Sequence, residues 1–153
     1  MSDQQPVFNI EKIYVKDASL EAPHAPQIFL EPAQPQVEVQ LATAAMRAAD
    51  GLYEAVLTIT VTAKAGDKTC FLVEAAQAGI FQIRNVPESD LEPILGIACA
   101  NILFPYARET IADLIARAGF PPIHLAPVNF EAMYAARQEA QAAGAGPRIE
   151  IAH

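Results

Sequence analysis

The sequence predicts an α+β fold in which four antiparallel strands come first and helices follow. Three observations carry this. Apolar and polar residues alternate along 37–42, 52–63 and 69–77, the period of half-buried antiparallel strands. From Ser89 onward the apolar spacing changes to three and four, the period of a helix with one buried stripe. The chain has 153 residues, enough for one domain that buries roughly two thirds of the surface its unfolded form exposes.

Residues 7–17, VFNIEKIYVKD, are rich in Val, Ile, Phe and Tyr and read as a first strand. Its apolar residues fall at both parities, so part of each face is expected to be covered. The polar residues 1–6 before it are expected to be a flexible N-terminus. From Ala22 to Pro35 the prolines Pro23, Pro26, Pro32 and Pro35 remove backbone donors and fix φ, which predicts a long irregular loop. Ile28, Phe29 and Leu30 lie inside it. Loops this long are usually functional, so the apolar triplet is read either as the wall of a groove or as an anchor.

Val37, Val39 and Leu41 alternate with Glu38, Gln40 and Ala42, giving the second strand. Tyr53, Ala55, Leu57, Ile59, Val61 and Ala63 alternate with their neighbours to give the third. Ala65-Gly66-Asp67 is a turn signal with Gly66 free to take positive φ, so the third strand should form a hairpin with a fourth over Thr69–Gln77. In that strand Phe71, Val73 and Ala75 should point one way and Cys70, Leu72, Glu74 and Ala76 the other.

Ser89 followed by Glu92 has the form of a capping box, which predicts a helix starting near Asp90. Pro105 is expected to break or kink it. Leu103, Ala107, Ile111, Leu114, Ile115 and Ala118 continue one apolar stripe up to Gly119 and Pro121-Pro122, and this stripe is read as core or subunit interface. Asn129 can cap a last helix from Phe130 to about Ala142. A single folded domain is therefore expected over 7–142, with a mobile tail over 143–153.

Several classes of function find no support. No apolar run approaches the roughly 20 residues that cross a bilayer, and the N-terminus lacks the basic start and apolar stretch of a secretory signal, so a soluble, cytoplasmic protein without direct membrane insertion is expected. A net charge of -8 argues against nucleic acid as a partner, because that affinity rests on Lys and Arg neutralising phosphates. His24, His124 and His153 have no acid or cysteine at metal-ligand spacing, and no glycine-rich phosphate loop occurs. No metal and no cofactor are expected. Cys70 and Cys99 read as buried apolar residues. A small hydrolase using Cys99 is the alternative of a different class, but an apolar helix offers that thiol neither a base nor an electropositive setting.

Four segments, IYVKDASLEAP (13–23), AGIFQI (78–83), NILFPYARE (101–109) and FPPIHLAPVNFEA (120–132), resemble the SecB family of bacterial export chaperones. The resemblance implies a four-stranded antiparallel sheet with helices packed on one face, assembled as a dimer of dimers. It implies a non-enzymatic, ATP-independent chaperone that holds newly made precursor proteins unfolded and delivers them to the motor SecA, working as a cytoplasmic homotetramer. A SecB-like chaperone of a toxin-antitoxin system is the nearest alternative.

By the same resemblance, Leu20, Phe29, Val37, Val39 and Leu41 are expected at the client groove, with structural core as the competing reading. Asp17, Glu21, Leu72 and Glu74 are expected to bind SecA. Ile111, Leu114 and Ile115 are candidates for the oligomer interface, since a long apolar helix stripe needs cover. Two departures from the family's pattern are Ala33, where an aromatic residue often precedes Gln-Pro, and Cys99-Ala100-Asn101, where Cys-Pro-Asn is common.

Overall fold

The structure, a computed structural model, describes residues 4–32, 34–143 and 151–152. Strands β1 (Val7–Glu21), β2 (Gln36–Ala49), β3 (Leu52–Ala65) and β4 (Lys68–Arg84) form an antiparallel sheet in the order β1-β4-β3-β2. A two-residue strand, β5 (Ile151–Ala152), adds in parallel to the outer edge of β2. The expected tail thus includes a paired segment, and its remaining positions 144–150 and 153 lie outside the described residues, as do positions 1–3 of the expected flexible N-terminus.

Each strand runs past the limits that side-chain alternation suggests, because the ladder continues: Val7 still pairs with Arg84, and Glu21 with Leu72. Gly66 turns β3 into β4 with φ 64°, a conformation without steric cost for glycine. Asp50-Gly51 turns β2 into β3. Arg84 secures that corner, donating to the Asp50 carbonyl at 2.9 Å and to its carboxylate at 3.3 Å.

One strand expectation is corrected. Cys70 is buried together with Phe71 instead of sharing the face of Leu72 and Glu74. The β3–β4 register slips between Ala63 and Lys64, so Cys70 has no partner on β3 and sits in a bulge. A bulge breaks the strict two-face alternation.

The crossover from β1 to β2, which are separated in the sheet by β4 and β3, contains one 3₁₀ turn, Gln27–Leu30. Ile28 is buried there while Phe29 and Leu30 are exposed. The triplet therefore divides: Ile28 anchors the loop, Leu30 faces solvent, and Phe29 is about half exposed.

Helix α1 (Glu88–Pro93), a π turn (Ile94–Ala98) and α2 (Cys99–Arg117) follow one another without interruption. The helix begins at Glu88, and no side chain caps it. Pro87, in extended conformation with φ -60°, sets the entry, so the expected capping box of Ser89 and Glu92 is not used. Nor does Pro105 break α2. The donor it lacks would serve the carbonyl of Asn101, and both residues lie on the exposed side, where solvent can reach the unbonded carbonyl. After an extended segment, α3 (Phe130–Ala142) starts as the sequence predicts, with the Asn129 side chain accepting from the Ala132 amide at 2.9 Å.

The helices pack on one face of the sheet, α2 against β3 and β4. Leu57, Ile59, Val61, Val73, Phe81, Leu103 and Ile111 are inaccessible to solvent or nearly so. Each such side chain contributes about 1.5–3 kcal/mol when removed from water. Ile111 and Ile115 belong to this core with no exposed surface. This corrects their assignment to an oligomer interface, because their surface is already spent within one chain. Leu114 keeps part of its surface. On α3 the buried Arg137 donates to the Thr43 hydroxyl of β2 at 2.6 Å, tying that helix to the sheet's outer long strand.

Candidate functional site

Residues opposite one another in register project to the same side of a sheet. On the helix-facing side, Leu20, Val73, Val61 and Val39 form one cross-strand row, and Ala18, Ala75, Ile59 and Leu41 form the next. The centres of these rows are buried beneath α2, while the ends are not. Leu20 keeps 36% of its surface, Val39 37% and Val37 44%. Expected groove residues therefore share a face but not a location: Leu20 lies on the β1 edge, and Val37 and Val39 on the β2 edge, with Val73 and Val61 between them.

Phe29 is joined to this face by aromatic contact. Its ring lies 5.0 Å from that of Phe120, which lies 5.0 Å from Phe71. Gly119 permits the approach, since a Cβ there would come within 3.1 Å of the Phe29 ring. Phe71 shares a row with Ala63 and Val37, so Phe29 leads toward the Val37 corner. A cleft of about 340 Å³ at this end of β2 and β3 is lined mainly by Gln36, Glu38, Thr62 and Lys64, whose rows project to the opposite side of the sheet, so it is not part of the apolar corner. Leu41 is only partly exposed and packs on the core, which fits the competing structural reading. Leu30, beside Phe29, exposes 80% of its surface; its position in the apolar loop triplet was the available signal.

The opposite side of the sheet carries the acidic residues. Three successive rows hold Asp17 with Ala76, Ser19 with Glu74, and Glu21 with Leu72. The structure thus brings Asp17, Glu21, Leu72 and Glu74 onto one patch across β1 and β4. Glu74 accepts from the Thr60 hydroxyl at 2.8 Å, which orients its carboxylate. Thr60 escapes a search for charged candidates, although its place in the strand alternation puts it on this side.

Farther along the same surface, Glu54 accepts from Lys16 at 2.7 Å and from the Tyr14 hydroxyl. Burial alone would raise the Glu54 carboxyl, but the bonds from Lys16 and Tyr14 bring it below its ordinary value. Burial, together with donation to that carboxylate, pushes Tyr14 up to about 12. Cys99 is fully buried, and burial pushes its thiol up to about 12. It is therefore a protonated core thiol at neutral pH and a poor nucleophile.

Comparison with known proteins agrees with this architecture. The family model described as preprotein translocase subunit SecB matches residues 1–141. The protein-export protein SecB of Chromobacterium violaceum is 64% identical over 95% of this chain and 99% of its own length. That of Neisseria meningitidis serogroup B is 56% identical over 95% of this chain and 100% of its own. Among solved structures, a SecB-like chaperone of Mycobacterium tuberculosis in complex with an antitoxin peptide superposes with a TM-score of 0.65, at 18% identity, over 79% of this chain and 90% of that one. At that identity the likeness shows the fold alone. With its sheet, its helix layer and near full-length matches to these relatives, the chain belongs to the SecB family of protein-export chaperones.

Proposed function

We propose that this chain is a non-enzymatic, ATP-independent holding chaperone that keeps precursor proteins unfolded in the cytoplasm and passes them to SecA. The observation that carries the reading is the uncovered apolar surface of Phe29, Leu30, Val37 and Val39 at one corner of the helix-facing side. Several apolar contacts along one flexible segment add without requiring a fixed sequence. Folding of the client withdraws the side chains that make them.

Asp17, Glu21, Leu72 and Glu74, on the opposite side, form the surface we assign to SecA, where acidic groups speed encounter with a basic partner. Client and motor then approach different faces. The working form is a homotetramer, a dimer of dimers. In support, Phe8, Ile10 and Val15 of edge strand β1 expose 40%, 50% and 48% of their surface, an apolar strip that a second copy would cover.

The test is dilution of a slow-folding precursor from denaturant into the purified protein without nucleotide, with mass followed by light scattering. A tetramer that keeps the precursor soluble and export-competent is the expected result. A monomer that leaves aggregation unchanged would overturn the reading.

A further inference from the structure

Strand β2 ends the antiparallel sheet, and an edge strand offers unpaired backbone groups to any extended chain. Among the described residues only Ile151 and Ala152 pair with this edge, in parallel at Ala45 and Met46. Val37 and Val39, on the helix-facing side of β2, expose 44% and 37% of their surface. Backbone capacity and apolar side chains thus occur on the same strand.

We propose that the outer edge of β2 takes an extended apolar client segment as an added strand, and that the chain's own C-terminal strand competes for that edge from within. The inference rests on the holding function proposed above and assigns to it a docking mode and a regulator. Strand addition suits clients of unrelated sequence, because main-chain hydrogen bonds supply affinity while side chains modulate it.

Three features favour the C-terminal strand as the resident occupant. Ile151, one of the two residues that pair with the edge, is β-branched, a type favoured in strands. Arg137 holds α3 against Thr43 of β2, so the tail departs beside the edge it pairs with. Eight residue steps separate Ala143 from Ile151, a reach of up to about 28 Å. Pairing within one chain is independent of protein concentration, unlike pairing with a client. A pairing of only two residues is then populated, yet weak enough to be displaced.

Competition follows from length. From Val39 to Ala45 the edge measures about 20 Å at ~3.3 Å per residue, and a client strand longer than about six residues runs into the site of Ile151.

The experiment compares the full chain, a variant ending at Ala143 and full-length Ile151→Pro for binding of a fluorescein-labelled extended peptide rich in Leu and Phe, with amide exchange read at Ala45 and Met46. Proline cannot donate to the ladder, so the point variant releases the strand without shortening the chain. The expected result is roughly fivefold tighter peptide binding by both variants, the lower range for coupled sites, with faster exchange in the free variants at the one of Ala45 and Met46 whose N–H points to the outer edge, the neighbour's N–H being directed to β3. Equal affinities, or weaker binding by the truncated chain, would overturn the competition. Absence of peptide binding by all three proteins would instead remove the holding function itself, and this inference with it.

Discussion

Thr43 and Gln77 stand in one cross-strand row on either side of Leu57, and each fixes a different helix. Thr43 accepts from Arg137 of α3 at 2.6 Å. Gln77 accepts from Thr110 of α2 at 3.4 Å and donates to the Tyr14 carbonyl of β1 at 3.1 Å. Hydrophobic burial supplies most of the attraction between the layers but has little directional preference. These polar contacts fix where each helix sits on the sheet.

The Arg137 contact is the more demanding. Burial lowers the pKa of this guanidinium, yet an arginine remains charged, and a buried charge without its hydrogen bond is costly. Thr43→Val is expected to destabilise the protein by about 1–3 kcal/mol. In a double-mutant cycle with Arg137→Met, followed by urea unfolding, the two changes should couple by on the order of 1 kcal/mol. Strict additivity would show that the contact does not hold α3.

The strand alternation that predicts β2 and β3 is legible because each strand has one face against the helices, and that half-burial is written into every second residue. Cys70 is misplaced by the same rule, since its bulge depends on the register between β3 and β4, which no local pattern encodes. Pro105 misleads for a related reason: the cost of a missing donor depends on whether Asn101 faces solvent, a tertiary fact. Ile111 and Ile115 look alike as core or interface because both demand the same stripe. The acidic patch was grouped by resemblance alone. Neighbouring Asp17 to Ala76 and Glu21 to Leu72 requires β1 to pair with β4, whereas chain order alone suggests β2; the proline-rich crossover makes the difference.

Val37 and Val39 offer a direct test of the proposed client corner. Because both are more than a third exposed, replacing them with serine leaves the core intact, and stability should change by less than about 1 kcal/mol. Loss of their apolar contacts should weaken binding of an unfolded precursor by about tenfold, measured by fluorescence anisotropy. Unchanged affinity with unchanged stability would place the client elsewhere.

Glu74 tests the other face. Thr60 orients its carboxylate, and no groove residue shares its side of the sheet. Glu74→Lys is expected to weaken SecA binding about tenfold at low salt, chiefly through a slower association rate, while client affinity stays the same. Titration calorimetry at two salt concentrations would read the effect. SecA affinity indifferent to the substitution would count against the acidic patch as its docking site.

Glu54 gives the fold a defined response to pH. Its folded pKa lies below the ordinary 4.5, so the native state binds this proton more weakly than the unfolded chain does. The stability it contributes is present above 4.5 and is lost as pH falls through the depressed folded value. Tyr14 acts in the opposite direction: its folded pKa is raised from 10.0 to about 12, so its contribution is complete below 10.0 and lost as pH rises through about 12. Glu54→Gln should therefore be less stable than the parent at neutral pH, by about 1 kcal/mol given that Lys16 is half exposed. The two proteins should converge on acidification below 4.5. Urea midpoints collected across that range decide the matter: curves that stay parallel would mean that the Lys16–Glu54–Tyr14 contact contributes nothing to folding.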